Sequence, residues 1–563
     1  MTAGWLDHLA RLWPAAVDPP DSLARTLRFL GVAVPAETVV RAARVLAVVA
    51  AVCVGLAGRA LGAPPAVTLL AATALGAAVA WVGPHVPTAQ ARLRRTRALG
   101  AAPHLVGLAV LRMRLAAVPE TAAAFAARTG QGTLADSLER HVRRAAGTPH
   151  SGLRAFGREW RSWYPALGRS TDLLSTAATQ RGDDRAATLD RARRATLDGA
   201  RERLATSVER VRRPATALYA FGVLVPLSLV GALPAATAAG LPVTAGAIVL
   251  VYDLVLPGAL LGATAWLLLR RPVAFPPPRV DRGHPDVPDR RPHALGAGCA
   301  VALGAWLLAP LVLPGWTRGL AAAGGGVGTA LAVAYHPHVD VRERVLEVEA
   351  GLPDTLALVG RRVGEGESVE HALAAVPDSV GGAAGSVAER AVQAQETAGL
   401  GVEASLVGSH GALAAVPSRR AASAGALLAV AADVGRPAGP TLEAAADHLS
   451  ELRAVEREAR RDLAQVTAAL GNTAAVFGPL VAGATVSMAA GMEARALGGG
   501  VETATLGPAV GAYALVLAAV LVALSTGLER GLDPALVGRR VGLALLAATV
   551  TFLVAVRGTA LLV

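Results

Sequence analysis

The length of its apolar runs constrains this chain more than any other feature. A helix needs about 20 apolar residues to cross a bilayer, and the 563-residue sequence supplies runs near that length again and again. They fall at 45–63, 64–83, 214–234, 243–269, 294–314, 319–335, 472–492, 505–528 and 541–561. The expectation is an all-α, polytopic membrane protein with about nine transmembrane helices. Pro64 and Pro65 break the first two runs into a hairpin, and Pro226 and Pro234 interrupt the third. Such prolines are tolerated in lipid when neighbours satisfy the freed carbonyls.

Charge gives the runs a direction. The loops at 63–65 and 235–242 carry no Arg; 315–318 carries only Arg318 and 493–504 only Arg495. The opposite side holds Arg92, Arg94, Arg95 and Arg97, then Arg270, Arg271, Arg290 and Arg291, then Arg530, Arg539 and Arg540. An excess of basic residues marks the cytoplasmic side. This predicts a cell-membrane protein with a cytoplasmic N-terminus and an outside C-terminus. No cleavable signal sequence is visible. The N-terminal segment, 1–44, opens with Trp5, Leu6, Leu9 and Trp13 roughly on one helical face. Two readings stand, a helix on the membrane surface and a packed cytoplasmic helix.

All 54 basic residues are Arg. Without Lys the chain cannot build a Walker A phosphate loop or a Schiff base. Cys53 and Cys299 sit singly in apolar runs and read as small hydrophobes, with no disulfide framework or zinc spacing. No cofactor, metal or catalytic set is expected.

The organisation is a doubled one. Hairpin 45–83 leads to a soluble segment, 84–213, then hairpin 214–269. A basic Pro-rich loop, 270–293, precedes hairpin 294–335. A second soluble segment, 336–471, is followed by three spans in 472–563. Each soluble segment ends in a strong helical face. Leu189, Leu197, Leu204, Val208 and Val211 form the first; Leu442, Leu449, Leu452, Leu463 and Val466 form the second. Each face starts seven residues after a glycine, Gly182 or Gly435, with Asp183, Asp184 and Thr441 as expected N-caps. Each helix then meets the same frame, F-G-x-L-V, at Phe221 and at Phe477. These read as helix-to-membrane junctions, with Gly222 and Gly478 either admitting a neighbouring helix or packing within their own module. The chain is therefore expected to be internally duplicated, with two cytoplasmic helical-bundle domains.

The stretch "LPDTLALVGRRVGEGESVEHAL" at 352–373 resembles the opening of the type II secretion system F domain, through Leu352, Pro353, Asp354, Leu356, Gly366, Ser368, Ala372 and Leu373. The stretch carrying Gly435 and Leu442 resembles the family's second helical hairpin. The first module matches more weakly: Pro103 has no Asp after it, and Val118 stands in place of Ser. The fused two-module form resembles the TadC-like and FlaJ-like platform proteins of archaeal type IV pili and archaella. The resemblance implies a non-enzymatic membrane platform. Such a protein couples a cytoplasmic secretion ATPase to insertion of pilin-like subunits from the lipid bilayer into a filament. A homodimer is left open. The rival reading is a transporter built from two repeats, which predicts polar groups at midplane in both.

Charge separates the two soluble segments. Segment 84–213 carries a net +13 and segment 336–471 a net −7. The densest basic run holds Arg191, Arg193, Arg194, Arg201 and Arg203. Three readings compete: docking on an acidic ATPase face, proximity to anionic headgroups, and a solvated face paired with Asp190, Asp198 and Glu202. The two segments, opposite in sign, can also attract each other. Nucleic acid is not an expected partner, for want of stacking aromatics or a recognition motif. Asp253 lies near the middle of the fourth run, where an acid is expected to face a bundle interior, with a pilin terminus or a neighbouring helix as its partner. "YHPHVD", with His336 and His338, reads as an interfacial turn. The glycines of 323–328 read as close helix packing.

Overall fold

The computed structural model describes residues 3–32, 34–60, 62, 64–130, 132–238, 244–270, 280, 283–494 and 503–562. Loop positions 239–242, residues 271–279 and 281–282 of the Pro-rich loop, including Arg271, and 495–502 with Arg495 lie outside the described residues. Every regular element described is helical.

Two short helices, α1 (Ala3–Arg11) and α2 (Asp21–Leu30), precede α3 (Ala36–Ala60) and α4 (Pro65–Gly100). Helix α1 packs against α3, and α2 against α4. Trp13 lies past the end of α1 and joins a small cluster of Val17, Leu23, Leu27, Ala36 and Val40. Helices α3 and α4 turn through Gly62 (φ +67°). They close tightly: a Cβ on Gly83 would fall 2.3 Å from the Ala43 Cβ. Helix α4 does not stop at 83. It passes Pro84 and Pro87 unbroken and carries Arg92, Arg94 and Arg95 beyond the apolar run.

Five helices follow: α5 (Ala102–Leu115), α6 (Pro119–Thr129), α7 (Thr133–Ala145), α8 (Gly152–Arg161) and α9 (Pro165–Ala177). Proline in the first turn of α5, α6 and α9 removes only an N–H with no helical partner. Leu105, Met113, Phe125, Leu138, Phe156, Trp160 and Leu167 form their core. The Trp160 indole donates to Ser137 Oγ at 3.1 Å and the Tyr164 hydroxyl to the Thr196 carbonyl at 2.6 Å, so both buried polar tips are satisfied. Helix α10 (Gly182–Tyr219) buries Leu189, Leu197, Leu204 and Val211. Its N-cap is Arg181, without a side-chain bond. Asp183 and Asp184 instead occupy the first turn, where they face the positive end of the helix dipole.

Helix α10 runs through a π-turn, Ala220–Leu224, into α11 (Val225–Ala238). Likewise α12 (Ala245–Val249) runs through Leu250–Val255 into α13 (Leu256–Leu269). A hairpin of α14 (Arg291–Val312) and α15 (Thr317–Glu365) comes next. Helix α15 has 49 residues and contains Pro337 and Pro353. The turn expected at His336–His338 is not formed. The helix continues, and His336 Nδ1 meets Asp340 Oδ2 one turn on, at 2.6 Å. Gly366 (φ +110°) ends α15, and Ser368 caps α16 (Val369–Ala374) by accepting the His371 N–H at 3.2 Å. Val118, the residue before α6, makes no such side-chain bond.

The second helical region continues with α17 (Val376–Ser379), α18 (Gly382–Ala398), α19 (Val402–Val407), α20 (Arg419–Val434) and α21 (Gly439–Asn472). Gly435 (φ +74°) and a 3-10 turn at Arg436–Ala438 join the last two, so Thr441 lies inside α21 rather than at its cap. Leu352, Leu356, Leu373, Leu427, Leu442 and Leu449 belong to its core, which also takes in Leu111 of α5 and Leu197 of α10. The two helical regions thus share packing. Helix α21 passes a π-turn, Thr473–Phe477, into α22 (Gly478–Ala494), and α23 (Thr503–Arg530) and α24 (Pro534–Leu562) complete the chain.

Eight helices among the described residues are long and apolar enough to cross a membrane: Ala36–Ala60, Thr68–Leu115, Gly182–Ala232, Ala245–Leu269, Arg291–Val312, Arg436–Gly491, Thr503–Arg530 and Pro534–Leu561. The chain is an all-α, multi-pass membrane protein. The expected run 319–335 is not among the eight, because five glycines dilute its apolar content. It is the first part of α15, and its glycines are contact points. A Cβ on Gly326 would fall 2.7 Å from the Ala302 Cβ of α14. One on Gly328 would fall 2.9 Å from the Gly542 carbonyl of α24, and one on Gly542 2.7 Å from the Gly328 carbonyl. Backbone against backbone leaves no side chain to move aside.

Gly542→Leu is therefore expected to part α15 from α24, at a cost of about 3 kcal/mol or more for the overpacked crossing. Thermal unfolding in detergent would show a midpoint several degrees lower. Gly304→Ala, where an added Cβ meets nothing within 4 Å, should leave the midpoint unmoved.

Candidate functional site

The first F-G-x-L-V frame overlaps a π-turn, the second begins on the last residue of one, and the segment holding Asp253 is itself a π-turn. Proline explains all three. Pro226, Pro257 and Pro479 each stand two residues past the end of a π-turn. A proline has no N–H for the carbonyl four residues back, and its ring pushes that carbonyl away. The helix widens by one residue instead of breaking. The carbonyls concerned belong to Gly222, Asp253 and Ala475.

In an apolar surrounding a freed carbonyl needs another donor. At the first junction it has one. The Tyr513 hydroxyl of α23 donates to the Gly222 carbonyl at 2.5 Å. The Tyr252 hydroxyl donates to the Pro226 carbonyl at 2.7 Å. The two rings meet edge to face, 5.9 Å apart, and both are buried. Gly222 itself lies against Leu260 of α13, 3.2 Å from where a Cβ would stand. At the second junction a Cβ on Gly478 would stand 3.4 Å from Leu517, also on α23. All three π-turns therefore gather around α23, the most buried of the eight apolar helices. Phe221 and Phe477 point away from it and are exposed.

Asp253 does not face the bundle interior. Tyr252 holds that position, and the next residue, about 100° further round the helix, is exposed. Cys53 and Cys299 are likewise exposed on apolar helices.

Ion pairs fasten the basic end of the membrane helices. Arg342 of α15 pairs with Asp533, and Glu529 of α23 pairs with Arg540 at 3.4 Å while accepting the Thr467 hydroxyl of α21. Deeper in the second region, Arg420 bridges Glu349 (3.3 Å) and Glu456 (3.0 Å). Burial alone would lower the Arg420 pKa, but Glu456 and then Glu349 outweigh it and hold the guanidinium above its usual value.

The basic run of α10 is divided in its roles. Arg193 turns inward and meets Glu451 of α21 at 2.7 Å. Beside that pair, Leu204 packs with Val455 and Ala459, His104 Nε2 lies 3.1 Å from Ser423 Oγ, and a Cβ on Gly107 would fall 2.0 Å from His448 Nε2. Arg203 lies over the Tyr164 ring, 4.0 Å from its centroid, and donates to the Trp163 carbonyl. Arg201 pairs with Asp198 at 3.2 Å. Arg191 donates to the Ala187 carbonyl of its own helix, and Arg194 is exposed. Of the motif positions in α15, Leu352 and Pro353 are buried and Asp354 is exposed. Tyr252, Tyr513, Glu451 and Arg420 were not singled out from the sequence. A tyrosine in an apolar run five residues before Pro257 is a signal that points to Tyr252; Tyr513 lies far from every junction proline and has no such signal. No group of three or more His, Cys, Asp or Glu among the described residues could hold a metal ion.

The account of the first junction is testable by a double-mutant cycle. Tyr513→Phe leaves the Gly222 carbonyl without its donor, at about 1–3 kcal/mol. Pro226→Ala restores an N–H at the helical position. The double variant should lose markedly less stability than Tyr513→Phe alone; simple additivity in thermal unfolding would contradict the account.

Compared with known proteins, the chain matches no family model, no curated protein and no solved structure.

Proposed function

We propose that this chain is a non-enzymatic membrane platform for assembly of a type IV pilus- or archaellum-type filament, or for a related secretion machine. It couples a cytoplasmic secretion ATPase to the insertion of pilin-like subunits. The observation that carries the reading is the continuity of α10 and α21. Each leaves a water-soluble helical region, passes a π-turn and enters the apolar bundle against α23. The type II secretion F-like motif residues around Leu352–Asp354, Gly366 and Ser368 support it as a resemblance. In this reading the chain crosses the membrane nine times, N-terminus inside and C-terminus outside. The α14–α15 hairpin supplies the ninth crossing, since 317–335 runs back along α14. Asp253 faces outward rather than lining a path between repeats, which favours the platform over the transporter.

Within this reading the ATPase surface is the exposed part of the α10 basic run: Arg191, Arg194 and Arg201. Arg193 and Arg203 are held by contacts within the chain. Charge reversal by Arg191→Glu with Arg194→Glu is expected to weaken co-purification of the ATPase roughly tenfold, more so at low salt. Unchanged co-purification removes this surface from the proposal. Topology has its own check. With Cys53 and Cys299 replaced by Ser, single cysteines at exposed positions in 84–213 and 336–471 should both label from the cytoplasmic side only.

A further inference from the structure

A cavity of about 570 Å³ opens at the base of the α14–α15 hairpin. Its rim carries Arg290 and Arg291, with Asp289 as its one acid. Its floor is apolar, made by Ala294 and Leu295 of α14 and by Ala330, Leu331 and Ala334 of α15. Tyr335 and His338 form the wall between rim and floor, their rings 6.1 Å apart.

Three observations describe a built cavity. The segment before Arg290 is pinned to the second helical region: His284 Nε2 lies 3.0 Å from the Ala415 carbonyl, and Asp286 pairs with Arg344 at 3.8 Å. The Tyr335 wall is fixed from behind, where a Cβ on Gly538 would fall 2.3 Å from the ring. Charge on the rim does not cancel. Asp289 lies 3.9 Å from Arg291 Nε, and Arg290 has no ion pair among the described residues.

The floor decides the kind of ligand. It runs out at Leu295 onto a face of α14 where Leu303, Leu307 and Leu311 are also exposed. A free phosphate would satisfy the rim and leave the floor bare. Guanidinium groups suit phosphate oxygens, and an apolar channel beneath them suits an acyl chain. Basic pockets between membrane helices on the cytoplasmic side are known sites for anionic headgroups. We propose that this cavity binds one anionic phospholipid, its phosphate between Arg290 and Arg291 and an acyl chain along Leu295 and Leu331. The inference rests on the membrane character of the chain and on the proposed cytoplasmic placement of the Arg290–Arg291 end, and stands apart from the filament reading.

Native mass spectrometry of the full-length protein in mild detergent tests it, with phosphatidylglycerol and phosphatidylcholine as probes. The wild-type protein should retain phosphatidylglycerol roughly tenfold better than phosphatidylcholine. Arg290→Gln with Arg291→Gln should abolish the preference, whereas Arg92→Gln with Arg213→Gln, the same charge loss elsewhere, should keep it. Ala334→Phe fills the floor without touching charge and should also abolish it. Millimolar glycerol phosphate should not displace the bound lipid. Undiminished preference in either pocket variant overturns the proposal. So does displacement by glycerol phosphate, which would mark a site for free anions.

Discussion

A carbonyl without a helical partner cannot be left bare in hydrocarbon, and much of this architecture answers that requirement. Pro226 takes the N–H away from the Gly222 carbonyl; Tyr513 returns a donor from another helix. The replacement bond ties α10 and its continuation to α23 across a long stretch of sequence. From a second π-turn the Tyr252 hydroxyl adds a bond to the Pro226 carbonyl, so three segments of the chain are joined by two hydroxyl groups and one aromatic contact.

Charge does comparable work outside the apolar layer. The segments 84–213 and 336–471 are opposite in sign, and the attraction is realised at one seam, where Arg193 meets Glu451. A single half-exposed pair contributes little by itself. Its neighbours matter more: Leu197 sits in the other region's core, and Leu204 packs on Val455. The pair sets register while apolar burial supplies the larger share of the energy. The same economy of partners appears at Arg342 and Asp533, where α15 is fastened just ahead of α24.

Much of the helical order was legible in the sequence, because 3.6-residue spacing of Leu and Val survives any change of solvent. Of the faces read from α10 and α21, the leucines and Val211 are buried as spaced, while Val208 and Val466 are only half-buried. Boundaries were less legible. Hydropathy reports where lipid gives way to water, not where a helix ends, so α4 and α15 run straight past the limits read for them. Hydropathy also undercounts a glycine-rich crossing, since glycine contributes closeness rather than apolarity. The junctions at Phe221 and Phe477 were visible as a repeated frame, but the cause lay in Pro226 and Pro479, whose effect is on a carbonyl four residues away. The partner of that carbonyl, Tyr513, is distant in sequence and carries no local mark. The inward turn of Arg193 was hidden for the same reason: a basic run looks uniform until a neighbouring helix selects one member.

Helix α15 joins the α14 hairpin to the core of the second soluble region without interruption, and at 1.5 Å per residue its 49 residues reach about 74 Å. A lever of that size amplifies angle into distance. Tilting it by about 5° around its glycine-lined end would carry the far end, near Gly366, through about 6 Å, more than a full helical turn's rise. Small rocking of the lipid-embedded part and large displacement of the water-exposed part are then one and the same motion.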